Sequence, residues 1–303
     1  MKILSKYTLG TAQLGMHYGI NNRSGRPEEQ RAIEILEEAY LGGIRSIDTA
    51  MDYGTSEEVI GKWLDIYMHK DVYITTKLKS AVNQGIAIDR IGEYVEESVR
   101  HSLDRMKLCK ISNFQIHDFR DIEYYGNSIY NALVRLQKEE KIGEIGCSIY
   151  DEAELNTFLN YDFDTIQVPG NVFHRKILDS NLLVSAKLKG VKVFVRSPFL
   201  QGLFFMKPEN LPKELAALQD PLSLLAVSAK EMKCTILELA LCYLRRNSNV
   251  DSIVFGVESL AQLNQVMSAG AVCDNLDISA LAGEYTEIQL ELVDPRFWRI
   301  IHE

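Results

Sequence analysis

Four residues stand out for the chemistry their types permit: Asp48 after Ser46-Ile47, Tyr53 in the stretch that follows, Lys77 after Ile74-Thr75-Thr76, and His117 after Phe114-Gln115-Ile116. A tyrosine with an ordinary pKa near ~10 is a poor proton-transfer group at neutral pH until a nearby cation favours its phenolate. Lys77 is a candidate for that cation. A buried ammonium needs a counter-charge of its own, and Asp48 on a neighbouring element offers one. His117 adds a group able to hydrogen-bond an oxygen on which negative charge develops. Together they permit proton delivery to a carbonyl oxygen. Each alone has a plainer reading: a structural ion pair for Asp48 and Lys77, a hydrogen-bonded core residue for His117, a packing tyrosine for Tyr53. His117-Asp118 also admits a metal-dependent hydrolase, although no ligand cluster with zinc-like spacing accompanies it, and no metal is expected.

These residues can meet only if the elements carrying them converge. Short β-branched or apolar runs recur at Thr8-Leu9, Ile44 to Asp48, Val72 to Lys77, Ile111 to His117, Ile142 to Ser148, Thr165 to Val168, Val191 to Arg196 and Ser252 to Phe255. Each is followed by a longer segment with helical spacing, as in parallel βα units. Ile33, Leu36 and Tyr40 line one helix face after Pro27-Glu28-Glu29, and Gly42-Gly43 ends it. Ile88, Ile91, Val95 and Val99 mark a second such stripe. Between Arg196 and Ser252 the spacing lengthens, with helical stretches near Leu222 to Met232 and Ile236 to Arg245. Eight such units predict an α/β (β/α)8 TIM barrel, with the candidate residues at the C-terminal ends of its strands. A doubly wound sheet would open with GxGxxG, which Leu9-Gly10-Thr11-Ala12-Gln13-Leu14-Gly15 does not supply.

The 303 residues, 46% hydrophobic and 25% charged, are read as one domain over 1–303, since no Gly/Ser-rich linker divides them. A net charge of -9 opposes general attraction to nucleic acid or anionic membrane. The five cysteines form no CxxC pair, so no disulfide framework is expected and a reducing compartment fits. The N-terminal residues lack a signal-peptide core and no run approaches the ~18 apolar residues of a membrane span, which predicts a cytoplasmic protein.

In order and spacing, Leu9-Gly10-Thr11, Ile47-Asp48-Thr49-Ala50 with Tyr53-Gly54 and Ser56-Glu57, Thr75-Thr76-Lys77, and Gln115-Ile116-His117 resemble the signatures of the aldo-keto reductase family. The likeness continues through Gly146-Cys147-Ser148, Gln167 with Asn171, Ser197-Pro198 with Gly202, and Gly256 with Gln262. It implies an NAD(P)H-dependent reductase of an aldehyde, ketone or sugar-like carbonyl, with Asp48, Tyr53, Lys77 and His117 as catalytic tetrad and Tyr53 as proton donor. The resemblance further implies cofactor contacts from Gly10, Thr11, Ala12 and Asp48. Ser148 and Gln167 would face the carboxamide, Ser197, Leu200 and Gly202 the pyrophosphate, and Gly256, Ser259 and Gln262 the adenosine end. A C-terminal loop over the barrel mouth is expected as well, with Trp298 either a pocket wall or docked on the barrel exterior.

Ile149 stands where many members have asparagine, and Arg196 where an aromatic often stacks on the nicotinamide; a guanidinium can stack too, so Arg196 is expected to touch the cofactor. Val257-Glu258-Ser259 lacks the usual cation for a 2'-phosphate, and Val266 replaces a frequent asparagine. The family at large favours NADPH, whereas a carboxylate at Glu258 favours the ribose diol of NADH. Tyr18 and His17 are candidates to meet substrate, Leu203 to Met206 to shape the pocket, and His174-Arg175 to lie on the surface. The alternative to an enzyme is a catalytically weak nicotinamide-sensing protein on the same barrel.

Overall fold

The computed structural model describes residue 2, residues 4–273, 276–278, 281, 285 and 288–298. Its eight parallel strands close into a barrel in sequence order: β1 (Tyr7–Gly10), β2 (Ser46–Asp48), β3 (Tyr73–Leu78), β4 (Ile111–Ile116), β5 (Ile142–Ser148), β6 (Thr165–Pro169), β7 (Lys192–Arg196) and β8 (Ser252–Gly256). Every expected strand forms, with ends moved by a residue or two. Helices return the chain over Glu29–Leu41, Ser56–Tyr67, Ile91–Met106, Asn127–Lys138, Glu152–Phe158 and Asn181–Leu188. The long seventh connection holds Gln219–Glu231 and Ile236–Arg246, and Leu260–Val272 follows β8. The stripe on Ile91–Met106 is shorter than its spacing predicts: Ile91, Val95 and Val99 are buried, but Ile88 lies in a preceding 3-10 turn and is 55% exposed.

Alternation along each strand sorts side chains into two environments. Pointing outward, Leu9, Ile47, Ile74, Phe114, Ile145, Ile166, Val193 and Ile253 join the apolar layer beneath the helices, and none is more than 1% exposed. The inward positions are largely polar. Asn113 donates to Thr75 Oγ1 at 3.1 Å, Thr165 to Asn113 Oδ1 at 2.9 Å, and Gln115 to Thr165 Oγ1 at 3.1 Å. Lower in the barrel Tyr73 donates to Glu144 at 2.5 Å, Lys192 pairs with Glu144, and Thr8 bonds Ser252 at 2.7 Å. Tyr73, Phe194 and Val254 form a small separate apolar plug. Barrel interiors are more often filled with branched aliphatics; here hydrogen bonds meet most of the desolvation cost instead. Continued upward, the same inward parity delivers Asp48, Lys77, His117 and Arg196 to one end.

One cross-link departs from the sequence reading. Cys242 on Ile236–Arg246 and Cys273 just past Leu260–Val272, both fully buried with Cα atoms 4.8 Å apart, form a disulfide. A separation of 31 residues without a motif gives no hint of it, because only the packing of these two helices brings the sulfurs together. Among the described residues no helix is long and apolar enough to cross a membrane.

Phe114 is wholly buried between the barrel and its helices. Phe114→Ala is therefore expected to destabilise the fold by about 3–5 kcal/mol through lost transfer energy and a residual cavity. The check is a lower urea midpoint with an unchanged slope.

Candidate active site

Asp48 ties three strands together. One of its oxygens accepts from Lys77 Nζ at 2.6 Å and the other from Gln167 Nε2 at 2.7 Å. Lys77 also donates to the Thr49 carbonyl at 2.9 Å and is completely buried. Above the pair lies the Tyr53 ring, its centroid 5.2 Å from Lys77 Nζ. The His117 ring meets it edge-on at 5.8 Å and 84°. The expected tetrad thus assembles at one spot on the barrel rim.

A compact turn presents Tyr53. Tyr53 N–H donates to the Ala50 carbonyl at 3.0 Å, Ser56 N–H to the Tyr53 carbonyl at 3.1 Å, and Gly54 takes φ +56°. Hydroxyls brace this turn against the first strand: Ser56 donates to Thr11 at 2.6 Å and exchanges a 2.8 Å bond with Thr49. At Gly15 a Cβ would come within 1.9 Å of the Tyr53 carbonyl, so glycine there allows the first loop to press on the turn.

The electrostatics differ from the sequence reading in one respect. Burial holds the Tyr53 phenol well above its usual pKa, the Asp48 carboxylate pushes the same way, and the cation that offsets them is Arg196. Lys77 was expected to acidify this phenol. Its charge is neutralised by a carboxylate at 2.6 Å, so the phenol meets an ion pair rather than a free ammonium. Burial also lowers the pKa of Lys77 against the pull of Asp48. For His117, burial first and then the charges of Lys77 and Arg196 press the pKa down to about 3, so the ring is neutral at ordinary pH. His117 Nδ1 lies 3.9 Å from Asp52, which in turn pairs with Lys79 at 3.4 Å.

From Tyr53 a cavity of about 890 Å³ runs across the rim to the helix Leu260–Val272. Of the residues expected to hold a cofactor, Gly10, Thr11, Ala12, Asp48, Gln167, Arg196, Ser197, Gly202, Gly256 and Gln262 line it. Ser148, Leu200 and Ser259 are not on its wall: Ser148 and Leu200 are buried, and Ser259 caps the last helix by accepting from Gln262 N–H at 3.3 Å. The amide nitrogen of Gln167 is committed to Asp48, which leaves its carbonyl oxygen for a ligand N–H. After β7 the backbone turns left-handed at Ser197 (φ +63°), Leu200 (φ +48°), Gln201 (φ +55°) and Gly202 (φ +88°). Such residues cost on the order of 1–3 kcal/mol each when they are not glycine, and they persist where the surroundings enforce them. The first loop supplies part of that enforcement. Gln201 donates to the Tyr18 hydroxyl at 3.1 Å, and a Cβ on Gly202 would sit 3.0 Å from Asn21 Cβ. Gln201, Asn21 and the start of Ile236–Arg246 escaped the sequence reading, since they reach the cavity only through loop packing.

Other expectations shift as well. His174 is buried rather than on the surface, and Arg175 donates to the Val172 carbonyl at 2.8 Å between the rings of Tyr243 and Tyr285. Phe205 lines the cavity while Leu203 and Phe204 pack inward. Trp298 donates to the Leu292 carbonyl at 3.2 Å and packs on the core, off the cavity wall. The C-terminal segment reaches the rim through Arg296 instead, whose guanidinium lies 3.3 Å from the Tyr150 ring centroid. Asp118 turns to Arg120, and among the described residues no group of three potential ligands could hold a metal ion.

Comparison with known proteins agrees with this arrangement. The family description "Aldo/keto reductase family" matches residues 6–282. The chain is 26% identical over 301 residues to the NADH-specific methylglyoxal reductase of Escherichia coli (strain K12), covering 88% of this chain and 90% of that protein. It is 28% identical over 290 residues to the L-galactose dehydrogenase of Arabidopsis thaliana, covering 90% and 88%. Among solved structures, the holo form of aldo-keto reductase AKR11C1 from Bacillus halodurans shares the fold with a TM-score of 0.73 and 24% identity, covering 94% of this chain and 96% of that one. The chain belongs to the aldo/keto reductase family and is an NAD(P)-dependent oxidoreductase.

Proposed function

We propose that this protein, as one barrel domain over its whole length, reduces an aldehyde or ketone with NADH, and that Tyr53 delivers the proton to the carbonyl oxygen. The observation that carries the reading is the buried Lys77–Asp48 pair beneath Tyr53 and His117 at the end of a long cavity. A bound reduced nicotinamide supplies the hydride that adds to the carbonyl carbon. Tyr53 gives its hydroxyl proton to the oxygen, Lys77 and Asp48 hold the floor beneath the phenol, and His117 orients the oxygen as a neutral donor. The carbonyl oxygen of Gln167 would be the group that holds the carboxamide N–H. The backbone after β7, with its enforced left-handed residues, would hold the phosphates.

The cavity fits such a cofactor in size and donor set, and the lining of its far end supports the choice of NADH. Glu258 and Glu238 line that end, and among the described residues Arg196, at the Tyr53 end, is the one Lys or Arg on the wall. A 2'-phosphate would meet carboxylates and no cation, whereas a ribose diol can donate to Glu258. This reverses the family-wide lean toward NADPH. It also accords with the NADH-specific name of the bacterial relative.

Tyr53→Phe is expected to lower kcat by on the order of 10²–10⁴-fold, the usual contribution of a positioned acid, while the NADH dissociation constant, read by fluorescence, stays close to that of the parent. A mutant with parental turnover removes Tyr53 from the role. A phenol with a raised pKa stays protonated through neutrality, and His117 with its pKa near 3 stays neutral. Carbonyl reduction should therefore be flat across neutral pH, falling only in strong alkali. Alcohol oxidation, which needs the phenolate, should climb with pH over the same range; rates in both directions against pH settle the point. For the cofactor, NADH should bind at least about tenfold tighter than NADPH, equivalent to ~1.4 kcal/mol, and Glu258→Arg should narrow or invert that ratio in the same titration.

A further inference from the structure

Arg196 ends β7 on the inward parity and shares the cavity wall with Tyr53, Asp48 and Gln167. Its guanidinium is poorly satisfied. One face rests on the Tyr150 ring, 4.0 Å from the centroid, and its hydrogen bond is a long one of 3.4 Å to the Ile149 carbonyl. Among the described residues no carboxylate pairs with it. The neighbouring cations are all matched: Lys77 to Asp48 at 2.6 Å, Lys79 to Asp52 at 3.4 Å, and Arg296 to Asp294 at 2.6 Å. Arg296 is bound to both oxygens of that carboxylate and lies on the same Tyr150 ring, so the ring is held between chain segments and fixes where Arg196 can point.

A half-buried guanidinium left without a counter-charge is costly unless a ligand supplies the charge. Its planar fork suits carboxylate or phosphate oxygens. The rest of the molecule argues against a general electrostatic purpose, since the chain carries a net charge of -9 and the cavity wall otherwise bears carboxylates. Resting on the carbonyl-reductase reading, we propose that Arg196 is a substrate-binding residue and that the carbonyl substrate carries an anionic group, carboxylate or phosphate, which pairs with its guanidinium. The cofactor contact expected from sequence competes for the same side chain, since Tyr150 covers one face of the guanidinium and leaves the other open.

Matched substrates test this with NADH held saturating: butanal against succinic semialdehyde, and glyceraldehyde against glyceraldehyde 3-phosphate. The parent protein should favour at least one anionic member in kcat/KM by on the order of 10- to 100-fold, the worth of one charge-assisted pair. Which pair shows the preference distinguishes carboxylate from phosphate. Arg196→Met should collapse the ratio and Arg196→Lys should retain part of it, with circular dichroism confirming the fold. Equal handling of neutral and anionic members by the parent overturns the proposal while leaving the reductase reading intact. So does an Arg196→Met change whose main effect is weaker NADH binding, since the guanidinium would then serve the cofactor's phosphates. If no carbonyl compound is reduced, the reductase reading fails. The anion site is then decided by titrating the NADH complex with succinate and glycerol phosphate under fluorescence: saturable binding lost in Arg196→Met supports it, and none overturns it.

Discussion

The rest of the site depends on a single buried carboxylate. Asp48 accepts from an ammonium on β3 and an amide on β6 while its own backbone carbonyl accepts from Thr11, the residue that follows β1. Breaking such a pair typically costs about 3–5 kcal/mol, because the survivor is left charged in a low-dielectric interior. The floor under Tyr53 is thus set by the strands themselves. A loop would hold these atoms less firmly, and the loops line the cavity above them.

Burial dominates the electrostatics built on that floor. Because Lys77 is paired, it stabilises structure more than it acidifies, and the phenol stays a phenol. That state suits the proton-donating role proposed for Tyr53. His117 is kept neutral by the same enclosure, so it offers a hydrogen bond without adding a charge. Arg196 is the exception: its charge reaches Tyr53, His117 and Lys77, and among the described residues no carboxylate pairs with it.

The cavity is graded along its length. Its Tyr53 end holds Asp48, paired to Lys77 behind it, and Arg196, which among the described residues has no carboxylate partner; its far end holds Glu238 and Glu258. The connecting wall is a backbone strained into left-handed turns and braced by Tyr18 and Asn21. Local strain is supported here by packing between the first and seventh loops, whose partners are far apart in the chain.

Much of this was legible in the residues. The alternation in Asn113-Phe114-Gln115-Ile116-His117 or Thr75-Thr76-Lys77 encodes which side chains face the barrel interior, and strand periodicity carries that information without tertiary contacts. Eight such strands and their rim residues follow from it, while the roles of those residues came from the resemblance to the aldo-keto reductase family. What only the tertiary structure decided is how charges cancel and which loops touch. Sequence spacing cannot say that Lys77 is neutralised before it reaches Tyr53, or that among the described residues Arg196 lacks a carboxylate partner while Arg296 has one. Nor can it say that Cys242 meets Cys273, that His174 is buried, or that Gln201 closes onto Tyr18. The physical reason is range. Periodicity is a property of neighbouring residues, whereas desolvation and Coulomb interaction depend on every group within several ångströms, and in a closed barrel those groups come from all parts of the chain.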